Sequence, residues 1–402
     1  MLTSTGELRA RVLAFLADHD PRETPKQDFL NARFDAGLAW VHCPEGLGGL
    51  GLSRSLQQVV DAEFAAAGSP GNDAEHNAIG LGMAAPTILA YGTDEQQKRW
   101  LRELWTGREI WCQLFSEPGA GSDLAALATR AVKVTGDGET GEDSWVVSGQ
   151  KVWTSLAQLA RRALLVARTD PDVPKHQGLT YFALDMTAPG VEVRPLRQIT
   201  GEAEFNEVFL TDVRIPDADR IGPVGEGWKV ANATLMSERV NIGASRAAPR
   251  EAGMIGPAAA TWRSRPELRT PGLHARLLRL WTDAEVARLA GERLRQQLAA
   301  GQPGPEGSAA KLIFARLNQD ISGFELELAA ADGLRYDDWT MRRSEHPSFF
   351  GRGPGYRYLR ARGNSIEGGT SEILRNIIAE RVLGLPAEPR VDKDVPWKDL
   401  PR

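Results

Sequence analysis

Cysteine is nearly absent from this 402-residue chain, which holds only Cys43 and Cys112. Two thiols without a CxxC spacing make no disulfide framework, and such usage suits a reducing compartment. No window approaches the roughly 20 consecutive apolar residues of a membrane span. The opening MLTSTGELRARVLAFL has no basic segment ahead of a long apolar run and no small-residue cleavage site, so a cytoplasmic location is expected. Excess positive charge is missing too: the formal net charge of −5 gives no electrostatic basis for binding nucleic acid. The histidines, at His19, His42, His76, His176, His274 and His346, are scattered without metal-ligand spacing, so no metal is expected. Neither GxSxG nor a Walker sequence occurs, and there is no internal repeat.

What is present changes period twice. Residues 1–112 read mostly as helix. Leu8, Val12, Leu13 and Leu16 form a helical stripe, a second pattern covers 56–67, and a third helix starts after the N-cap candidate Thr93. Between them PEGLGGLGLS, 44–53, is too glycine-rich for a regular element. From about 114 to 215 the period becomes two, with strands expected over 131–134, 144–147, 151–154, 163–167, 179–184, 191–196 and 207–213. Ser148-Gly149 and the run 136–143 read as turns between them. Strands do not alternate with helices, which argues against a dinucleotide-binding βαβ fold. After Gly222 the helical period returns: Trp228, Ala231, Leu235, Glu238 and Ile242 share one face, and further helices are expected over 274–299 and 308–331. The prolines of 249–272 forbid one continuous helix there. The fold class is thus α+β, mainly α: a helical domain over 1–112, a β domain, sandwich- or barrel-like, over 113–222, a helical domain over 223–386, and a peripheral or flexible tail over 387–402.

Three stretches could carry chemistry. In IEGGTSEILRNIIAERVLGLP, 366–386, a glycine elbow precedes a helix for which Thr370 is a plausible N-cap and Glu372 faces the positive end. Glycines at a helix start leave backbone N–H groups open to a ligand, although an ordinary loop and docked helix is the plainer interpretation. SEPGAGSD, 116–123, offers the Ser116 and Ser122 hydroxyls with Gly119 and Gly121, and could hold a phosphorylated ligand or be a simple turn. KVWTS, 151–155, puts an indole beside two hydroxyls, which suits stacking on a heteroaromatic ring; Trp153 could equally be a core residue.

The order of the motifs PEGLGGLGLS, YGTDEQQKRWL, SEPGAGSDL, KVWTS, FNEVFLTDVRIP, GEGWKVANATLMSERV and GGTSEILRNIIAERVL resembles the acyl-CoA dehydrogenases, flavoproteins that desaturate acyl-CoA thioesters. The resemblance spans nearly the whole chain. It implies a C-terminal four-helix bundle, an FAD cofactor between the β domain and the C-terminal helices, and a role in lipid metabolism by β-oxidation. It further implies Ser116, Gly121 and Ser122 near flavin or pyrophosphate, Trp153 and Thr154 at the ring system, and Thr370 and Glu372 near the cofactor from the elbow. The implied chemistry removes a proton from Cα and a hydride from Cβ, the hydride going to the flavin and then to an electron-transfer flavoprotein or a similar acceptor. One carboxylate base is needed near Cα.

The chain departs from that family in two places. The usual elbow glutamate is Gly368 here; Glu367 lies one residue earlier, where its side chain is redirected. A minority of the family carries the base on the first helix of the last domain, in a Glu-Arg pair matched by Glu238 and Arg239. Glu238 is therefore the expected base, Glu367 the alternative, with Arg239, Gly368 and Gly369 at the substrate. Second, the Arg-x-x-Phe-Gly and Gln-x-x-Gly-Gly-x-Gly segments that reach a neighbour's FAD are replaced by MIGPAAATWRS and ELAAADGLRY. That points to an oligomer, homomeric or, with the missing contacts supplied by a related subunit, heteromeric. Similar heteromeric dehydrogenases act on bulky, steroid-derived acyl-CoA esters, for which Gly368-Gly369 leaves room. The alternatives are a non-catalytic partner subunit and a related flavin oxidase or monooxygenase.

Overall fold

The computed structural model describes residues 5–137, 141–244, 251, 253–299, 307–336, 338–343 and 352–401, with backbone alone at 238–244 and 298–299. The first helix, α1 (Thr5–Asp18), buries Leu8, Val12 and Phe15 at spacings of four and three. Phe15 meets Phe29 of α2 (Lys26–Asp35) and Phe64 of α3 (Gln57–Ala66) edge to face, with centroids 5.5 and 5.7 Å apart. The periodicity leaves α2 undetected because its burial rests on Phe29, Leu30 and Phe34 alone, too few for a stripe. A π-helical turn, Gly80–Ala84, leads into α4 (Ala85–Tyr91). Helix α5 (Asp94–Trp105) begins at a complete capping box, with the Thr93 hydroxyl accepting from Gln96 N and the Gln96 side chain accepting from Thr93 N.

Seven strands follow: β1 (Trp111–Leu114), β2 (Arg130–Asp137), β3 (Glu142–Ser155), β4 (Arg162–Arg168), β5 (Leu179–Asp185), β6 (Val191–Leu196) and β7 (Phe205–Pro216). β3 pairs antiparallel with β2 and β7, β7 with β6, and β4 with β5. β1 runs parallel to β4. This strand escapes the sequence pattern because its four residues are almost wholly buried and show no alternation. Ser148-Gly149, expected as a turn, lies inside β3 at a register shift against β7. A Cβ on Gly149 would stand 2.4 Å from Thr129 Oγ1, so the glycine serves close backbone approach rather than a reversal.

Both faces of the sheet are buried. On β4 and β5, Leu164, Val166, Tyr181 and Ala183 face a core shared with Trp100, Trp111 and Val230, while Ala163, Leu165, Phe182 and Leu184 face a second core with Val147, Val208 and Val213.

The last domain consists of α6 (Gly227–Ala244), α7 (Gly256–Ser264), α8 (Pro271–Ala299), α9 (Gly307–Ala329), α10 (Pro354–Ala361) and α11 (Ser371–Ile377). Leu277 and Leu280 of α8 pack on Leu317, Ile321, Phe324 and Leu328 of α9. The short α7 fits between prolines, with Pro257 in its first turn and Pro266 opening the next element. α11 starts at Thr370, whose hydroxyl accepts from Ile373 N at 3.2 Å, and runs into a π-helical turn at Ile378–Val382. The tail does not hang free. Trp397 stacks under Arg168, 4.6 Å from guanidinium carbon to ring centroid, and donates from Nε1 to Ala126 O at 3.0 Å.

Candidate active site

A cavity of about 2040 Å³ opens between the β domain, α6, α8, α9 and the elbow at 366–370. Ligand pockets usually hold roughly 300–1,000 Å³, so this one has room for a cofactor and a substrate together. Its β-domain wall is built from two of the sequence motifs, joined by a buried ion pair. Glu117 of SEPGAGSD accepts from Ala128 N at 2.7 Å and Thr129 N at 2.9 Å, and meets Lys151 Nζ of KVWTS at 2.8 Å. Lys151 is fully buried and also donates to Phe115 O and Val166 O. Burial works to raise the Glu117 carboxyl, but the Lys151 charge and the Thr129 and Ala128 bonds outweigh it and hold the group below its ordinary range. The pair fixes the loop against β3, so that Ser116, Gly121 and Ser122 line the cavity.

Just beyond Lys151 the pairing of β3 with β7 slips, and Trp153 takes φ +61°, a left-handed conformation rare for a bulky residue. Its indole lies on the cavity wall, 56% exposed and edge-on to Phe205. Thr154 was expected beside it. Alternation along the strand instead buries the Thr154 hydroxyl away from the cavity, without a hydrogen-bond partner, and brings Ser155 to the wall.

At the elbow Gly368 and Gly369 adopt φ of +63° and +94°. The buried Lys311 of α9 holds this turn from below, donating to Asn364 O and Gly369 O, both at 2.7 Å. Thr370 lines the cavity, whereas Glu372 does not: it is solvent-exposed and stands 3.4 Å from Arg375 one turn on. Glu367 reaches the cavity but is gripped by both Arg360 nitrogens at 3.0 and 2.9 Å and by Asn364 Nδ2 at 2.6 Å. Both of its oxygens are thus occupied by the protein's own donors.

Helix α6 supplies Trp228, Asn232 and Leu235 to the cavity at spacings of four and three, and position 238 continues that series. The side chains of Glu238 and Arg239 lie outside the described residues. The helix itself is held where three hydroxyls meet: Thr234 of α6 contacts Thr87 of α4 and Tyr181 of β5, each at 2.9 Å, with all three buried.

The region around α10 has loose ends. Glu325 of α9 lines the cavity; Arg357 holds one carboxylate oxygen at 2.6 Å, and the other is buried without a partner. Burial raises its pKa despite that pairing, and does the same to Glu204, which lies 3.6 Å from Arg360. Among the described residues neither Glu202 oxygen, both buried, makes a hydrogen bond, although Arg352 stands 2.6 Å from one. Motif-based reasoning passed over Glu117, Lys151, Lys311 and Glu325, and Ser155 entered it only as one of the two hydroxyls of KVWTS. Only Lys151 had a local signal, a lysine amid strand residues.

These walls fit the flavin that the sequence implies. An exposed indole offers a stacking surface, the open glycine turn avoids side-chain obstruction, and the Ser116, Ser122 and Ser155 hydroxyls make no hydrogen bond among the described residues. Family models for the acyl-CoA dehydrogenase N-terminal, middle and C-terminal domains match residues 6–108, 112–213 and 225–383. Acyl-CoA dehydrogenase FadE34 of Mycobacterium tuberculosis is 39% identical over 96% of the chain, which spans half of that relative's length. Acyl-CoA dehydrogenase IpdE1 of the same organism is 38% identical over 88% of the chain and 86% of its own length. Among solved structures, the Tcur3481-Tcur3483 steroid ACAD superposes with a TM-score of 0.70 at 26% identity, covering 96% of this chain and 98% of that one. The ChsE4-ChsE5 complex of Mycobacterium tuberculosis gives 0.67 at 27% identity, over 96% and 100%. With its helical, β and helical domains, its flavin-shaped cavity and these matches along its length, the chain belongs to the acyl-CoA dehydrogenase family, whose members use FAD.

Proposed function

We propose that this chain desaturates an acyl-CoA thioester between Cα and Cβ, as one subunit of a heteromeric dehydrogenase, with Glu238 as the base. The observation that carries the base assignment is the Arg360–Asn364 grip on Glu367, which occupies the one elbow carboxylate that could replace the missing family glutamate. Glu238 continues the helix face of Trp228, Asn232 and Leu235, three residues that line the cavity, and that continuity supports the assignment. Bound FAD supplies the hydride acceptor. Trp153 and the Ser116, Ser122 and Ser155 hydroxyls orient the cofactor, the glycine elbow leaves space for the acyl group, and the apolar wall of α6 keeps water from the reacting carbons. Electrons pass on to an electron-transfer flavoprotein or a similar acceptor.

A bulky, steroid-derived acyl group and a related partner subunit are the finer part of this reading. They are supported by relatives described as a steroid ACAD and as a two-chain complex, and by the under-satisfied carboxylates Glu202 and Glu325 around α10. Replacement of the elbow glutamate by Gly368 also favours a second reading, a silent subunit that completes a sister enzyme. Glu238→Gln decides between them. Catalysis by this chain requires flavin to be retained while acyl-CoA-driven flavin bleaching slows by about 10²–10⁴-fold. Unchanged bleaching removes Glu238 as base and leaves the silent-subunit reading.

A further inference from the structure

The C-terminal tail crosses from the helical domain to the β domain at the rim of the cavity. Its far end is anchored by Trp397, by a Pro174–Pro396 bridge, and by the Lys398–Asp172 pair at 2.6 Å. Trp397 N donates to Val173 O and Lys398 N to Pro171 O, at 2.9 and 3.1 Å. The stretch ahead of that anchor brings Arg390 and Lys393 to the cavity wall that also carries Ser122 and His176. Both cations are exposed, and neither makes a hydrogen bond or ion pair among the described residues.

The carboxylates nearby are largely spoken for. Lys175 holds Asp123 at 2.7 Å and Asp392 at 2.5 Å, which leaves Asp394 as the one tail carboxylate on this wall outside that group. Beside the cations His176 and Trp228 stand edge to face, ring centroids 4.9 Å apart. Exposed guanidinium and ammonium groups next to aromatic rings are what a phosphorylated purine would use: charge for its phosphates, a ring edge or face for its base. On the wall with Trp153 and the elbow, Arg360 and Lys311 are engaged with Glu367 and the turn carbonyls, while Arg381, beyond α11, is exposed at the same cavity.

We propose that the tail completes a subsite for the nucleotide end of the thioester carrier, with Arg390 and Lys393 meeting its phosphates and the His176–Trp228 pair its base. This rests on the acyl-CoA reading above and adds to it a specificity element that holds the carrier rather than the acyl chain. FAD also carries a nucleotide, so the test separates the two sources. Binding of CoA, dephospho-CoA and pantetheine to the flavin-loaded protein in its native assembly is measured by calorimetry, beside flavin content per chain. The double variant Arg390→Ala, Lys393→Ala is expected to bind CoA about tenfold more weakly, a loss expected for charge-assisted contacts. Dephospho-CoA should lose less, pantetheine nothing, and flavin content should hold. Trp397→Ala, which frees the tail without touching a cation on the wall, should weaken CoA in the same way. Equal CoA affinity in wild type and both variants overturns the proposal. So does loss of flavin with CoA affinity intact, which would assign the tail to the cofactor. Absence of any CoA binding by wild type removes the acyl-CoA reading itself and this proposal with it.

Discussion

Glu117 and Lys151 on the loop-and-β3 wall of the cavity, and Glu202, Glu204 and Glu325 around α10, the first two from the β6–β7 connection and the third from α9, are comparably buried yet differently satisfied. Glu117 has two backbone donors and an ammonium, and Lys151 has three acceptors, so each charge removed from water is replaced by close partners. Around α10, Glu325 Oε1 and both Glu202 oxygens make no hydrogen bond among the described residues, with Arg352 2.6 Å from one Glu202 oxygen, and burial raises the carboxyls of Glu204 and Glu325. A buried carboxylate short of donors is costly, so the side around α10 is the one on which a cofactor or a neighbouring subunit has most to contribute. The finished wall positions; the unfinished wall receives.

Three variants would break or sharpen that contrast. Lys151→Met strands a buried Glu117 and should cost about 3–5 kcal/mol, read as a fall in the denaturation midpoint with loss of flavin. If the loss were under about 1 kcal/mol, the β-domain wall would not be the tightly held side. Arg360→Met removes the grip on the partly exposed Glu367 and the distant contact to Glu204, and should cost about 1–3 kcal/mol, with part recovered by adding Glu204→Gln. A cost equal to that of Lys151→Met would erase the distinction.

The smallest effect is a pH dependence. Glu325 titrates above its unfolded value, so the folded state binds the proton more tightly. Stability from this group is therefore full at low pH and declines as pH rises through the raised pKa. Glu117 behaves oppositely: held low, it loses its contribution only as pH falls below the ordinary carboxylate range. Glu325→Gln should accordingly stabilise, by about 1 kcal/mol or less, at neutral pH and not at pH about 4, as followed by thermal melts across that range. A stabilisation that does not grow with pH would show that Arg357 already compensates the charge.

Much of the molecule is legible without coordinates where the signal is local. Leu8 and Val12 of α1, the caps at Thr93 and Thr370, and the period change into the β domain follow from neighbours within a few residues, although Leu13, read into the same α1 stripe, is 50% exposed and Phe15 packs in the core instead. Trp153 was identifiable from its motif, but not the left-handed backbone that presents it, and one residue of slip exchanged Thr154 for Ser155 at the wall. Glu325, Lys311 and the tail were not legible because their partners are far along the chain: Arg357, Asn364 and Gly369, and Arg168 for Trp397. Burial at such sites is a property of the packed domains, and no local pattern encodes it.

The meeting of Thr87, Thr234 and Tyr181 has a consequence of a different kind. Every group in that joint is neutral, and the Tyr181 hydroxyl is pushed far above its ordinary pKa by burial. Acid, alkali within the physiological span and added salt leave such a joint untouched, while the ion-paired walls respond to all of them. The helix that bears Glu238 is thus pivoted on a bearing that does not titrate, and the two walls can change protonation around it without turning it.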